Sequence, residues 1–362
     1  TISTVAGFAD VSTELHTYVD VIGKRALRRR VLRASTLITQ KSNEMPAEEL
    51  AELAQREIYA ACTQDHTPHT TTASELAEKL RSEAFAVRAD GLVGVSTGFK
   101  QLDDITTGFS PGQLIVVGAR PGVGKSVLLL QLARNIASAS KHLVLLYSYE
   151  MSASEIGFRL LAEVSGIPMS SLMRGGPFTG SQQKRINSAV DQISALPLVI
   201  NDNPPPTVTG LRADARRVSR AQPLGAVVVD YLQLMRGEGS RNDGRVQEVS
   251  EMSRELKLTA KELHTPVIAA SQLNRQIENR QGDRRRPQLS DLRESGSVEQ
   301  DSNVVLFLDR PATYDPGAPV DQATLIVGKN RQGRSGVDIP LRWFGETVHF
   351  EEEKPLNTYT EF

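Results

Sequence analysis

The stretch Val116 to Leu132, VVGARPGVGKSVLLLQL, restricts what this chain can fold into more than any other. Leu114 to Val117 read as a buried strand, a glycine-rich turn follows, and Ser126 opens a run in which Leu128, Leu129, Leu132 and Ile136 recur at helical spacing. A strand, turn and helix in that order present successive backbone N–H groups and the positive end of a helix to a polyphosphate, provided no Cβ blocks the approach. Gly122 and Gly124 give that clearance. Lys125 then reaches the β- and γ-phosphates, and the Ser126 hydroxyl takes one position on Mg2+. The candidate nucleotide loop is therefore Ala119, Arg120, Pro121, Gly122, Val123, Gly124, Lys125, Ser126 and Val127, read with ATP and Mg2+. The common pattern begins with Gly, whereas this chain has Ala119 there and Gly118 one residue early. The competing reading, a structural turn, is disfavoured by the correct strand and helix on either side.

The pattern around this loop alternates. Strands at 143 to 148, 198 to 200, 226 to 230 and 266 to 271 interleave with helices at 126 to 138, 153 to 165, 209 to 221 and 245 to 263. Such alternation predicts an α/β fold, a mainly parallel sheet with helices on both faces. After Val304 the pattern turns to strands, VVLFLD, ATLIVG and a closing hairpin around Gly345. The large domain is expected over 93–352, with a short tail at 353–362.

What precedes it is helical. From Thr13 to about Thr39 apolar residues recur at three to five positions, and the opposite face carries Lys24, Arg25, Arg28, Arg29, Arg30 and Arg33. That face either binds nucleic acid or is a solvated or partner-facing side, the commoner case. A second helix is expected over 47 to 61, so that 1–65 forms a helical hairpin too small to bury both its faces alone. HTPHTTT at 66 to 72 reads as a linker whose histidines have no further metal ligands nearby. Thr72 and Glu75 then make a capping box for a short helix before Gly91, completing a linker and docking helix at 66–92 whose apolar face wants a neighbouring subunit.

Composition narrows the function classes. A net charge of −1 over 362 residues leaves no global nucleic-acid signature, so any DNA contact is local. The single cysteine, Cys62, excludes an internal disulfide framework and fits a reducing compartment. Without an apolar run near the roughly 20 residues of a membrane span, we expect a cytoplasmic protein. The chain opens at Thr1 rather than Met, which we read as a trimmed protein or a piece of a longer one.

In open α/β sheets ligands bind beyond the carboxyl ends of the strands, which directs attention to polar residues closing apolar runs. Four runs close that way: LVLLYSYE at Glu150, AVVVDY at Asp230, VIAASQ at Gln272 and ATLIVGKNR at Lys329 and Arg331. Asp230 suits the carboxylate that holds Mg2+ opposite Ser126, the bland alternative being a strand-end cap. Glu150 stands where a carboxylate can deprotonate water attacking a γ-phosphate. Gln272 can sense the γ-phosphate but, as a neutral amide, is a poor base.

SYEMS at 148 to 152, DYLQLM at 230 to 235, SQLNR at 271 to 275, DLRESGSVEQD at 291 to 301 and GKNRQG at 328 to 333, in this order after ARPGVGKS, resemble the DnaB-type replicative helicases. The resemblance covers residues 93 to 350 closely and 13 to 64 loosely, as the end of a truncated N-terminal domain. Ala119 is shared with that family. The resemblance implies a RecA-like ATPase core, a ring of six subunits, translocation on single-stranded DNA, and primase and a helicase loader as partners. It makes Glu150 the catalytic glutamate, Asp230 the metal-holding aspartate and Gln272 the γ-phosphate sensor, and it sets Arg159 near the nucleotide. It assigns Lys329 and Arg331 to the neighbouring subunit's site, Arg331 as an arginine finger; the bland reading is a basic turn solvating a strand end. Arg293, Glu294 and Gly296 match a loop that follows one DNA strand's backbone. The basic run Arg280, Arg284, Arg285 and Arg286 before it either adds local positive potential or is a solvated loop. Two other readings share part of these features. A RecA-type strand-exchange ATPase shares the core, and a nucleotide-gated DNA scaffold or loader without motor activity would not need Lys125, Glu150 and Arg331 together.

Overall fold

The computed structural model describes residues 25–63, 71–85, 91–235, 245–274, 277, 280 and 286–353. The chain forms two compact units, Thr1–Ala86 and Val87–Phe362.

The first unit contains α1 over 25–41, α2 (Ala47–Thr63) and α3 (Ala73–Ala84). Residues 13 to 24 of the expected first helix lie outside the described residues. The turn at 42–46 closes with Pro46 one residue before α2, where a missing N–H does no harm. Arg30 donates to the Ala61 carbonyl at 2.8 Å, so this arginine joins the two helices rather than the basic face. The expected capping box on α3 is present: Thr72 N–H donates to Glu75 at 2.9 Å, and Glu75 N–H to the Thr72 hydroxyl at 3.3 Å. On α3 Leu76 and Leu80, and Phe85 just past it, are exposed.

The second unit is built on one sheet. Its elements in order are α4 (Lys100–Thr106), β1 (Leu114–Ala119), α5 (Lys125–Ser140), β2 (Leu143–Ser148), α6 (Ala153–Ser165), α7 (Met169–Arg174), α8 (Gly180–Ser194), β3 (Leu198–Asn201), α9 (Val208–Ser219), β4 (Leu224–Asp230), α10 (Arg245–Leu263), β5 (Val267–Gln272), α11 (Gly296–Asp301), β6 (Val304–Asp309), β7 (Gln322–Asn330), β8 (Val337–Phe344) and β9 (His349–Glu352). The strand order is β3-β2-β4-β5-β1-β6-β7-β8-β9. From β3 to β6 every pairing is parallel, and the last three strands add antiparallel.

Strand pleating divides the core. Ile115 and Val117 of β1 pack with Leu128, Leu132 and Ile136 of α5 on one face, while Leu114 and Val116 pack with Leu256 and Ala260 of α10 on the other. The α/β architecture and the predicted strands therefore hold. Four helices, α4, α7, α8 and the six-residue α11, were not expected. α8 carries Ile186, Ala189 and Ile193 at helical spacing, Ala189 buried and the two isoleucines half-buried, and opens on a Thr179–Gln182 capping box, so its signals were present in the sequence. α7 and α4 are 6 and 7 residues long, too short for a helical period to emerge. α4 is seated by Asp103, whose carboxylate accepts from Thr97 N–H at 2.9 Å and from the Thr97 and Ser96 hydroxyls at 2.8 and 2.6 Å.

Candidate active site

Four parallel strands end side by side. In register, Ser148 of β2 faces Asp230 of β4, and Ala119 of β1 faces Gln272 of β5. Tyr149 N–H donates to the Asp230 carbonyl at 2.8 Å, and Leu273 N–H to the Ala119 carbonyl at 3.2 Å. The strands are pinned one residue beyond their ends, so the groups they carry are held at one edge.

The turn between β1 and α5 supplies the backbone part. Gly122 has φ +76° with open space where a Cβ would stand, and Gly124 has φ +111°. Gly124 is the N-cap of α5 and, having no side chain, gives that helix no cap hydrogen bond. By contrast α6, α8 and α9 are capped by Ser152, Thr179 and Thr207. The start of α5 thus keeps unspent donors together with the positive end of its dipole, the requirement for a phosphate. Ala119, Val123 and Val127 turn buried side chains inward, which leaves only their backbone for a ligand.

The side chains complete a small cleft in which Ser126, Ser148, Arg159 and Asp230 supply the polar groups and Leu130, Leu146, Met151 and Ile156 an apolar wall. Asp230 is 3% exposed. Burial pushes its carboxyl above the usual carboxylate range, while the Ser126 hydroxyl and the Lys125 ammonium pull it back down. Lys125 is pushed below the ordinary lysine value by burial, opposed by the charges of Asp230 and Glu150. Its Nζ lies 4.0 Å from the ring centroid of Tyr231. Glu150 itself is exposed, in the bend two residues past the end of β2.

Buried polar atoms without a protein partner mark what this cleft suits. Among the described residues Asp230 Oδ1 and Arg159 Nε are of this kind in the cleft, and Arg120 Nη1, of the loop itself and with its guanidinium over Tyr314, is another. An orphaned carboxylate oxygen beside a serine hydroxyl suits a hard cation, and orphaned guanidinium nitrogens beside uncapped N–H groups suit phosphate oxygens. The donor set therefore fits a magnesium nucleotide.

Four residues near the loop were not singled out from the sequence. Tyr231 lies under Lys125. Arg310, just past β6, donates to the Val123 carbonyl at 3.2 Å and stacks on Trp343 at 4.5 Å, and Phe350 packs against Gly124. Arg310 is a polar residue closing an apolar run, so the strand-end rule could have found it. Trp343 and Phe350 sit on the hairpin and give no such signal.

Lys329 and Arg331 require a correction to the strand-end argument. β7 runs antiparallel to β6, with Lys329 opposite Val305 and Asn330 opposite Val304. Its carboxyl end therefore lies at the amino edge of the parallel strands, away from the phosphate loop. There Lys329 Nζ donates to the Glu299 carbonyl and Arg331 to that of Gln300, both in the last turn of α11.

The segment with the expected DNA contacts runs as a 3-10 turn, Leu289–Ser295, directly into α11. Arg293, Glu294 and Gly296 fall in it, and their side chains lie outside the described residues. Leu292 packs with Leu273, Ile277 and Phe307, and Asn274 N–H donates to the Asp291 carbonyl at 3.0 Å, which ties the segment to the end of β5. Arg280 pairs with the buried Asp291 and Arg286 with Asp338, so both have carboxylate partners; Arg284 and Arg285 lie outside the described residues.

Sheet order, phosphate loop and strand-end carboxylate together define a RecA-like P-loop ATPase. Comparison with known proteins carries this further. The profile of the DnaB-like helicase C terminal domain matches residues 94–352. The chain is 40% identical over 348 residues to a replicative DNA helicase DnaB of Leifsonia xyli subsp. xyli, covering 94% of this chain and 74% of that protein. It is 35% identical over 337 residues to the replicative DNA helicase DnaC of Bacillus subtilis, covering 92% and 74%. Among solved structures, one described as an ATPase domain superposes with a TM-score of 0.72 at 32% identity, over 79% of this chain and all of that one. A DnaB-like replicative helicase described with its interactions with primase gives 0.75 at 29% identity, over 94% and 79%. The chain belongs to the DnaB-like replicative DNA helicases and is an ATP-hydrolysing DNA helicase. Among the described residues no helix is long and apolar enough to cross a membrane.

Proposed function

We propose that this chain works as a ring of six that hydrolyses MgATP at subunit interfaces to move along single-stranded DNA. Lys125 neutralises the β- and γ-phosphates, and Ser126 and Asp230 hold Mg2+, which offsets the charge of the phosphates. Glu150 is exposed on the solvent side of the cleft, where it takes the proton of the attacking water. Gln272 hydrogen-bonds the γ-phosphate, Arg159 neutralises nucleotide charge, and Arg310 on Trp343 forms a wall for the base. Arg331, with Lys329, completes the site of the adjacent subunit. Arg293, Glu294 and Gly296 follow the phosphates of one DNA strand without reading bases. Primase and a loader are the partners, and the cytoplasm, where replicating DNA lies in a bacterium, is the compartment.

One observation carries the divided site. The phosphate loop begins at the carboxyl end of β1, and Arg331 follows β7 at the opposite edge. Six residues of β1 at roughly 3.3 Å each separate those edges by about 20 Å, beyond the reach of an arginine side chain. This separation supports the reading of Arg331 as a finger for a phosphate loop other than its own. Unwinding of a forked duplex with ATP is the test. The wild type should separate the strands, with ATP turnover stimulated by single-stranded DNA, and Lys125→Ala should do neither. Turnover without strand separation would favour a strand-exchange ATPase, and DNA binding without turnover a scaffold.

A further inference from the structure

The turn that carries Arg331 is fixed more firmly than an exposed basic tip requires. Asn330 Nδ2 donates to the Ile105 carbonyl at 3.1 Å, and its Oδ1 accepts Gln332 N–H at 3.1 Å. Gln113 Nε2 donates to Gln332 Oε1 at 2.8 Å. Arg331 N–H donates to the Asn303 carbonyl at 2.9 Å. Asn303 is itself held from three directions. Its N–H donates to the Leu114 carbonyl at 2.8 Å, and its Oδ1 accepts Leu114 N–H at 3.1 Å and Lys257 Nζ at 2.6 Å. Lys257 reaches across from α10 and also donates to the Gly112 carbonyl at 2.7 Å. The Arg331 backbone is thus tied by hydrogen bonds to the starts of β1 and β6, while its exposed guanidinium rests on the Gln300 carbonyl.

We propose that Asn303, clamped by Lys257, is a positioning residue for Arg331, fixing the backbone from which the guanidinium swings into the adjacent subunit's site. The proposal rests on the reading of Arg331 as a finger acting in trans. Its physical basis is that transition-state contacts tolerate little displacement, about 1 Å of misplacement costing about 10^2-fold in rate. Supporting hydrogen bonds are what hold such a group in place. Neither Asn303 nor Lys257 touches the phosphate loop of its own subunit, which lies at the other edge of the sheet.

The variants are Asn303→Ala, Asn303→Asp, which keeps the Oδ1 acceptor, and Lys257→Met. Each is melted first to establish folding; should Asn303→Ala fail to fold, Lys257→Met carries the experiment. Asn303→Ala and Lys257→Met should lower kcat by about 10^2-fold with KM for ATP unchanged, and Asn303→Asp should recover most of the loss. In rings mixed with Lys125→Ala subunits, Asn303→Ala should regain turnover as Arg331→Ala does, because Lys125→Ala subunits supply a sound finger to a sound phosphate loop. A recovery with Arg331→Ala but none with Asn303→Ala or Lys257→Met would overturn the proposal and leave the finger intact. No recovery with Arg331→Ala, after subunit exchange is established, would overturn the finger and the proposal with it. Full turnover by both Asn303→Ala and Lys257→Met would also overturn it.

Discussion

Asp230 is a carboxyl group kept where its charge is unwelcome until a cation arrives. Burial raises it above the ordinary carboxylate range. A group raised in the folded state favours folding below its unfolded value and loses that advantage as pH rises through its folded value. At neutral pH without nucleotide, Asp230 therefore weakens the fold relative to a neutral isostere. Asp230→Asn should melt higher than the wild type at pH 7, with the gap closing as pH falls into the carboxylate range, and should lose the stabilisation by MgATP. A melting series over pH with and without MgATP checks this; a lower melting temperature at every pH would show that the charge supports the fold. Glu150 differs because it is exposed. Glu150→Gln should bind nucleotide normally and turn over about 10^2 to 10^4-fold more slowly, as measured by equilibrium binding beside steady-state turnover. Both residues were legible in the sequence because each closes an apolar run on a parallel strand. Tyr231 was not, since only folding places a ring under Lys125.

The hairpin of β8 and β9 acts on the phosphate loop from behind. Gln131 of α5 grips β9 by accepting Phe350 N–H at 2.8 Å and donating to its carbonyl at 3.0 Å, which presses the Phe350 ring toward Gly124. A Cβ at Gly124 would stand 2.9 Å from that ring on a backbone with φ +111°. Gly124→Ala should lower stability by about 1 to 3 kcal/mol and weaken ATP binding. Adding Phe350→Leu should recover part of the stability but not the binding, because space is restored and φ is not; thermal melts and ATP titration separate the two. The segment before α11 allows a second test. Arg293→Ala should weaken single-strand binding about equally for all sequences and shallow its salt dependence by about one ion, whereas a sequence-selective loss would mean that bases are read. The parallel half of the sheet was legible because buried strands are apolar runs separated by amphipathic helices. The direction of β7 was not: strand residues look alike whichever way they run, and only pairing with β6 sends Lys329 and Arg331 to the far edge.

At the scale of the whole protein, each catalytic site in this reading is shared between copies. Turnover per subunit should fall on dilution, in step with loss of assembly measured by sedimentation, whereas a site complete in one chain would keep constant specific activity. The reversal at β7 also decides which assemblies are useful. With Arg331 read as a finger acting in trans, it gives each subunit a face that presents a phosphate loop and another that presents an arginine. A two-fold dimer sets like face against like and completes no site, so only head-to-tail neighbours are productive. In a closed cycle the number of complete sites equals the number of subunits, and in an open row it is one fewer. A cycle that parts at a single seam to admit a strand would therefore forfeit one site and keep the rest at work.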